Sequence, residues 1–217
     1  VCSSDLIDSS RNIVTEGYGV MQPRITFDIE SSNSSLFSRI YTGQEGIDPY
    51  ASAISDVYQD LFCEGIFTGK GIYELKTFQS VLKDAVPDNV VLSHDLLEGS
   101  YVRAGLVNDM ELVDSYPPSY KSYTARLHRW TRGDWQLLPW LGRKIHNKKG
   151  ELIKNPLSYI SRWKIADNLR RSLVPPSILL LILLGLSILP GNSITWVGFA
   201  LFVLGLPFIM DIIDRLL

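Results

Sequence analysis

Cysteine is nearly absent from this chain of 217 residues: Cys2 and Cys63 are the whole complement. Two thiols make no disulfide framework and offer no metal-ligand spacing. Charge is missing from one long stretch. Between Arg171 and Asp211 there is no Asp, Glu, Lys or Arg, a run of 39 residues. Such a run excludes both a purely soluble single domain and a disordered chain. Internal repeats are missing too, as is low complexity apart from the Ser-rich stretch Ser31–Ser35. The length allows one or two ordinary domains with a sizeable core.

The charge that is present falls unevenly. Residues 1–140 carry 11 Lys and Arg against 19 Asp and Glu, residues 141–172 carry 9 against 2, and residues 173–217 carry 1 against 2. The basic block adjoins an apolar segment and the remainder is acidic, which argues against a nucleic-acid partner. The first six residues, Val-Cys-Ser-Ser-Asp-Leu, fit nothing that follows. They are expected to be an artefactual leader, and the chain a piece of a longer protein.

The uncharged run divides at Pro190-Gly191-Asn192, which is turn chemistry. Leu173–Leu189 and Ile194–Met210 supply 17 residues each, about 25 Å of helix at the α-helical rise. That is slightly short for a hydrocarbon core of roughly 30 Å but within the spanning range. A transmembrane helical hairpin is therefore expected over residues 173–217, in competition with a buried core hairpin. Ile178–Leu184 shows no polar face, which favours the lipid bilayer as partner. Arg162, Lys164, Arg170 and Arg171 precede the first span, backed by Arg143, Lys144, Lys148, Lys149 and Lys154, whereas the Pro-Gly-Asn-Ser loop has no cation. The positive-inside rule then places residues 1–172 and the C-terminus in the cytoplasm. Residues 141–172 read as a basic juxtamembrane segment, with Trp163–Leu169 as a candidate amphipathic stretch on the membrane surface.

Ahead of the membrane segment, strand-like and helix-like pieces alternate. Helices are expected at Asp48–Phe62, after Ile72-Tyr73 through Leu82, at Leu96–Ala104 and at Tyr120–Leu138. Short strands are expected at Val90–Leu92 and Met110–Val113, and Thr68-Gly69-Lys70-Gly71 reads as a tight turn. The alternation predicts α/β architecture over residues 7–140.

Two constellations have the chemistry of a site. In Ser93-His94-Asp95-Leu96-Leu97-Glu98, a carboxylate stands where a strand is expected to give way to a helix, at the sheet edge where α/β proteins bind ligands. Such an Asp is suited to act as a general base on a hydroxyl nucleophile, with His94 orienting or polarising. The competing reading makes Asp95 a helix cap, with Glu98 completing a capping box. In Arg126-Leu127-His128-Arg129-Trp130, the two arginines lie three apart and share one helix face. Two guanidiniums there suit a diphosphate, and Trp130 suits stacking on a sugar ring. The competing reading is a solvated basic face with an interfacial Trp.

Several longer strings carry a resemblance. They are Gly17-Tyr18-Gly19-Val20-Met21-Gln22-Pro23-Arg24, Asp48-Pro49-Tyr50, Ser55-Asp56-Val57-Tyr58-Gln59-Asp60, Gly69-Lys70-Gly71-Ile72-Tyr73, Leu92-Ser93-His94-Asp95-Leu96-Leu97-Glu98-Gly99 and the stretch from His128 to Gln136. Together they resemble the glycosyltransferase domain of cyclic β-1,2-glucan synthases. More distantly the chain is similar to cellulose synthases and the osmoregulated periplasmic glucan glucosyltransferases. The resemblance implies the C-terminal half of a nucleotide-sugar-transferase (GT-A-like) domain, followed by interfacial helices and the hairpin, in a bacterial inner membrane. It implies that Asp95 matches the catalytic carboxylate of a "Thr-Glu-Asp" motif, with His94 in place of its Glu. It also implies that Arg126-x-x-Arg129-Trp130 matches a "Gln-x-x-Arg-Trp" motif contacting the nucleotide diphosphate and the acceptor sugar.

Residues 1–60 contain no Asp-x-Asp, the motif that in this family holds a divalent cation (Mg or Mn). The ligands of that cation are thus expected outside this chain, which is expected to be inactive alone. The expected function is inverting transfer of glucose from UDP-glucose to a β-glucan acceptor, extending a β-1,2-glucan. The alternatives are a processive glucan synthase of another linkage, and a non-catalytic membrane-anchored module for glycan binding or assembly.

Overall fold

Val20–Phe27 (β3) is the central strand of the main sheet, in a computed structural model that describes residues 6–42, 57–92 and 95–216. Val20, Gln22 and Ile25 are buried along it. On one side β3 pairs antiparallel with Ile72–Tyr73 (β4), and on the other it runs parallel to Ala104–Asp114 (β5), giving the order β4-β3-β5. Proline in a central strand removes a ladder donor and is normally confined to edges and bulges. Pro23 obeys that rule, because the β3–β5 register jumps between Pro23↔Val107 and Arg24↔Glu111. The extra residues on β5 make it far longer than the four-residue strand expected from Met110 to Val113.

Two antiparallel hairpins stand apart from this sheet, β1–β2 (Leu6–Asp8 and Ile13–Glu16) and β6–β7 (Lys144–His146 and Leu152–Lys154). The first turn is fixed by Asp8, whose carboxylate accepts from the Ser10 N–H at 2.9 Å. Of the six residues expected to be a leader, Leu6 opens β1 and the other five lie outside the described residues. Helices Ile29–Ser32 (α1) and Leu36–Tyr41 (α2) follow β3. Val57–Phe62 (α3) is the described part of the helix expected from Asp48, whose earlier residues lie outside the description.

Leu75–Leu82 (α4), Asp95–Val102 (α5) and Tyr120–Gln136 (α6) agree with the expected helices to within a residue or two. The switch from α5 to β5 occurs at Arg103, which takes a left-handed φ of 57°. Its guanidinium holds that conformation by donating to the carbonyls of Thr15 (2.9 Å) and Cys63 (3.0 Å) while lying over the Tyr18 ring. Val90–Leu92 is not a strand. Asn89 has a positive φ of 60°, and the Leu92 N–H bonds the Gln136 side chain at 2.8 Å instead of a strand neighbour. Apolar content without a sheet edge to pair with leaves a buried loop residue, Val91.

Tyr159–Ser187 (α7) is one continuous helix of 29 residues that includes Pro175 and Pro176. The chain divides into two compact units, Val1–Asn168 and Leu169–Leu217. Within the first, the start of α7 buries Ser161, Lys164, Ile165 and Asn168. Trp163, by contrast, stays exposed. The stretch expected to lie on a membrane surface thus has its i, i+3, i+4, i+7 face against protein. Lys164, counted above among the cations near the bilayer, is buried.

Within the second unit, α7 ends at Ser187 and Ser193–Leu216 (α8) begins after the Pro190-Gly191-Asn192 turn. Gly191 supplies the left-handed φ of 96°. The Asn192 side chain caps α8 by accepting from the Ile194 N–H at 2.9 Å, and the Trp196 indole donates to the Pro190 carbonyl at 3.1 Å. A Cβ on Gly185 would lie 2.4 Å from Trp196 Cβ, so the two helices meet closely there. Among the described residues α7 is the one helix long and apolar enough to cross a membrane, while the apolar stretch Ser193–Leu206 is shorter.

Candidate functional site

The glycine turn predicted at Thr68–Gly71 organises the site. It is reached through buried Ile66 and Phe67, and the Gly65 N–H is tied to the Ala104 carbonyl at 2.8 Å. Thr68 donates its N–H (2.9 Å) and its hydroxyl (3.1 Å) to Gln22 Oε1. Gln22 is fully buried on β3, with its amide N–H₂ satisfied by the Pro23 carbonyl at 2.8 Å. A buried amide is retained only when its hydrogen-bonding groups are matched, so Gln22 holds the turn in one position.

Gly69 has φ +92°, and a Cβ placed on it would lie 2.7 Å from Asp95 Oδ2 and 2.9 Å from Oδ1. The carboxylate of Asp95 therefore rests directly on the backbone of the turn. A second glycine makes the approach possible. Gly99, one helical turn along α5 from Asp95, gives way to Phe67, whose Cβ lies 2.6 Å from where its own Cβ would be. Asp95 is the first residue of α5 and shares its first turn with Glu98. Two carboxylates there are favoured by the helix dipole. Tyr73 feels both: burial first, then the charges of Glu98 and Asp95, push its hydroxyl above the ordinary tyrosine range. The result is a half-open patch of negative charge beside a neutral phenol.

The next residue of the turn, Lys70, meets a third carboxylate. Lys70 Nζ lies 2.5 Å and Arg126 Nη2 3.1 Å from the same oxygen, Oδ2 of Asp114. The other oxygen accepts the Ser115 N–H at 2.9 Å. Partial burial alone would raise the Asp114 pKa, but Lys70, the Ser115 N–H and Arg126 outweigh it and hold the carboxyl below its usual range. Arg126 also lies over the Trp130 ring, 5.2 Å from its centre. The turn thus connects Asp95 on one flank to Asp114, Arg126 and Trp130 on the other.

Arg129 is on the same helix but exposed, and among the described residues it has no ion-pair partner. His94 lies outside the described residues. Asp114 and Gln22 were not read from the sequence as site residues. Asp114 carried a usable signal, being a carboxylate at the C-terminal end of a parallel strand. Gln22 carried none, since a Gln inside a strand says nothing of burial.

The described residues contain no group of three His, Cys, Asp or Glu side chains able to hold a metal ion.

No protein-family model matches the chain. Over 163 residues, 75% of its length, it is 52% identical to the cyclic beta-(1,2)-glucan synthase NdvB of Rhizobium meliloti (strain 1021). This chain is related to the cyclic β-(1,2)-glucan synthases. It spans 5% of the length of that synthase, so it corresponds to a small segment of the synthase. A contiguous stretch of 163 in 217 residues must include residues 55–163. The turn, Asp95, Asp114 and α6 all fall within the part shared with the synthase.

Proposed function

We propose that this chain is the acceptor-side part of a membrane-bound glycosyltransferase that moves glucose from UDP-glucose to a growing β-1,2-glucan, with inversion at the anomeric carbon. The observation that supports it is the seating of Asp95 on the glycine turn whose next residue meets Asp114 and Arg126. One turn then separates a proton-accepting carboxylate from a cationic cluster, and the reaction needs both.

In this reading the acceptor hydroxyl gives its proton to Asp95 as its oxygen bonds to C1 of the donor glucose. The C1–oxygen bond to the diphosphate breaks, and the electron pair leaves with UDP. Arg126 and Arg129 present positive charge to the departing diphosphate, and Trp130 offers a face to the acceptor ring. The nucleotide-sugar-transferase fold and the hairpin across a bacterial inner membrane, with residues 1–172 on the cytoplasmic side, belong to the same proposal. The long apolar α7 and the cation-free turn at residues 190–193 support it.

The deciding experiment uses the intact parent synthase in washed membranes, as wild type and Asp95→Asn, with glucose incorporation into glucan as readout. Loss of about a hundredfold or more with UDP-glucose binding retained is the expected result. Near-normal transfer by an equally inserted variant would make Asp95 a residue of helix-terminal stability only.

A further inference from the structure

Lys164 stands on α7, one hundred residues in sequence from its partners, and only 4% of its side chain is exposed. Its ammonium has three donors. They reach the Glu64 carbonyl at 3.2 Å, Glu64 Oε1 at 2.9 Å and the Gly65 carbonyl at 2.9 Å. The face of Tyr58 on α3 covers it, with the ring centre 5.2 Å from Nζ. A lysine buried this deeply is retained only when every proton has an acceptor, because desolvating an ammonium is otherwise very costly. This one is saturated.

Glu64 and Gly65 lead straight into the turn. From Gly65 the chain runs through buried Ile66 and Phe67 to Thr68, held by Gln22, and then to Gly69 under Asp95. Residues 64–69 are thus pinned at one end by Lys164 and the Ala104 carbonyl, and at the other by Gln22. We propose that Lys164 is a positioning residue of the transferase site. It touches no reacting atom. The ion pair with the Glu64 carboxylate and the bonds to the Glu64 and Gly65 carbonyls together set the height of Gly69 against Asp95. This assignment rests on the transferase reading for its catalytic consequence but not for the clamp itself.

The test uses the intact synthase in native membranes, as wild type, Glu64→Gln, Lys164→Met and the double variant. Two readouts are taken: kinetics with UDP-glucose and glucan acceptor, and amide hydrogen exchange over residues 62–71. The expected result is faster exchange at residues 64–70 in both single variants. It is joined by a roughly tenfold fall in kcat with the KM for UDP-glucose changed less than about twofold, as a misplaced catalytic group would give. The double variant should be no worse than Lys164→Met, since one clamp is lost once. Glu64→Gln keeps shape and the two carbonyl acceptors but takes the counter-charge from a buried ammonium, so it loosens the clamp and reports even where Lys164→Met folds poorly. Unchanged exchange at residues 64–70 in Glu64→Gln overturns the clamp, whatever the activity. Losses that multiply in the double variant overturn it too. A wild-type enzyme that makes no glucan from UDP-glucose would instead sink the transferase reading, and the exchange data would still decide the clamp.

Discussion

Gly69 and Asp95 occupy positions that leave no room for a side chain between them: a methyl group on Gly69 would lie 2.7 Å from Asp95 Oδ2. Glycine is needed there twice over, for that approach and for its φ of +92°. Gly69→Ala should therefore strain the turn by roughly 1–3 kcal/mol and push Asp95 off its seat. In the intact synthase, transfer should drop at least about tenfold while the amount of inserted protein changes little. An alanine variant with wild-type kcat would show that Asp95 needs no such seat.

Asp114 makes a prediction with a sign. Its carboxyl is held below the ordinary range by Lys70, the Ser115 N–H and Arg126 against the opposing effect of burial. A depressed folded-state pKa contributes stability above the unfolded-state value, near 4 for Asp, and that stability is lost as pH falls through the lower folded value. The pair is partly exposed, so the contribution is at most about 1 kcal/mol. Melting curves of the chain and its Asp114→Asn variant in detergent should differ at pH 7 and converge as pH is lowered below about 4. A gap that persists unchanged at low pH would mean that the carboxylate's charge is not what binds Lys70 and Arg126.

The turn at Pro190-Gly191-Asn192 predicts sidedness. With Cys2 and Cys63 replaced by serine, a single cysteine at Thr195, beside that turn, should be labelled on intact bacteria by a membrane-impermeant thiol reagent. A single cysteine at Lys149, in the exposed β6–β7 loop, should be labelled only after lysis. Equal labelling of both on intact cells would exclude a hairpin that crosses the bilayer with residues 1–172 inside.

What could be read ahead of the structure was local. The turns at Thr68–Gly71 and Pro190-Gly191-Asn192 and helices α4, α5 and α6 follow from neighbours a few residues away, where spacing and turn chemistry act directly. The strand expected at Val90–Leu92 failed because a strand is defined by its partner, and that segment found Gln136 instead of a sheet edge. For the same reason β5 came out several residues longer than its apolar core, since pairing with β3 extends it across a bulge.

The site divides along the same line. The sequence by itself determined the apolar run, the basic block before it, and the residue types Asp95, Arg126, Arg129 and Trp130 at helical spacing. Only the tertiary structure decided that Asp95 rests on Gly69, that Lys70 and Arg126 share one oxygen of Asp114, and that Lys164 faces Glu64 rather than lipid. Each of these joins residues far apart in the chain. Burial and charge pairing between such residues depend on how strands and helices come together, a relation that no local pattern of side chains encodes.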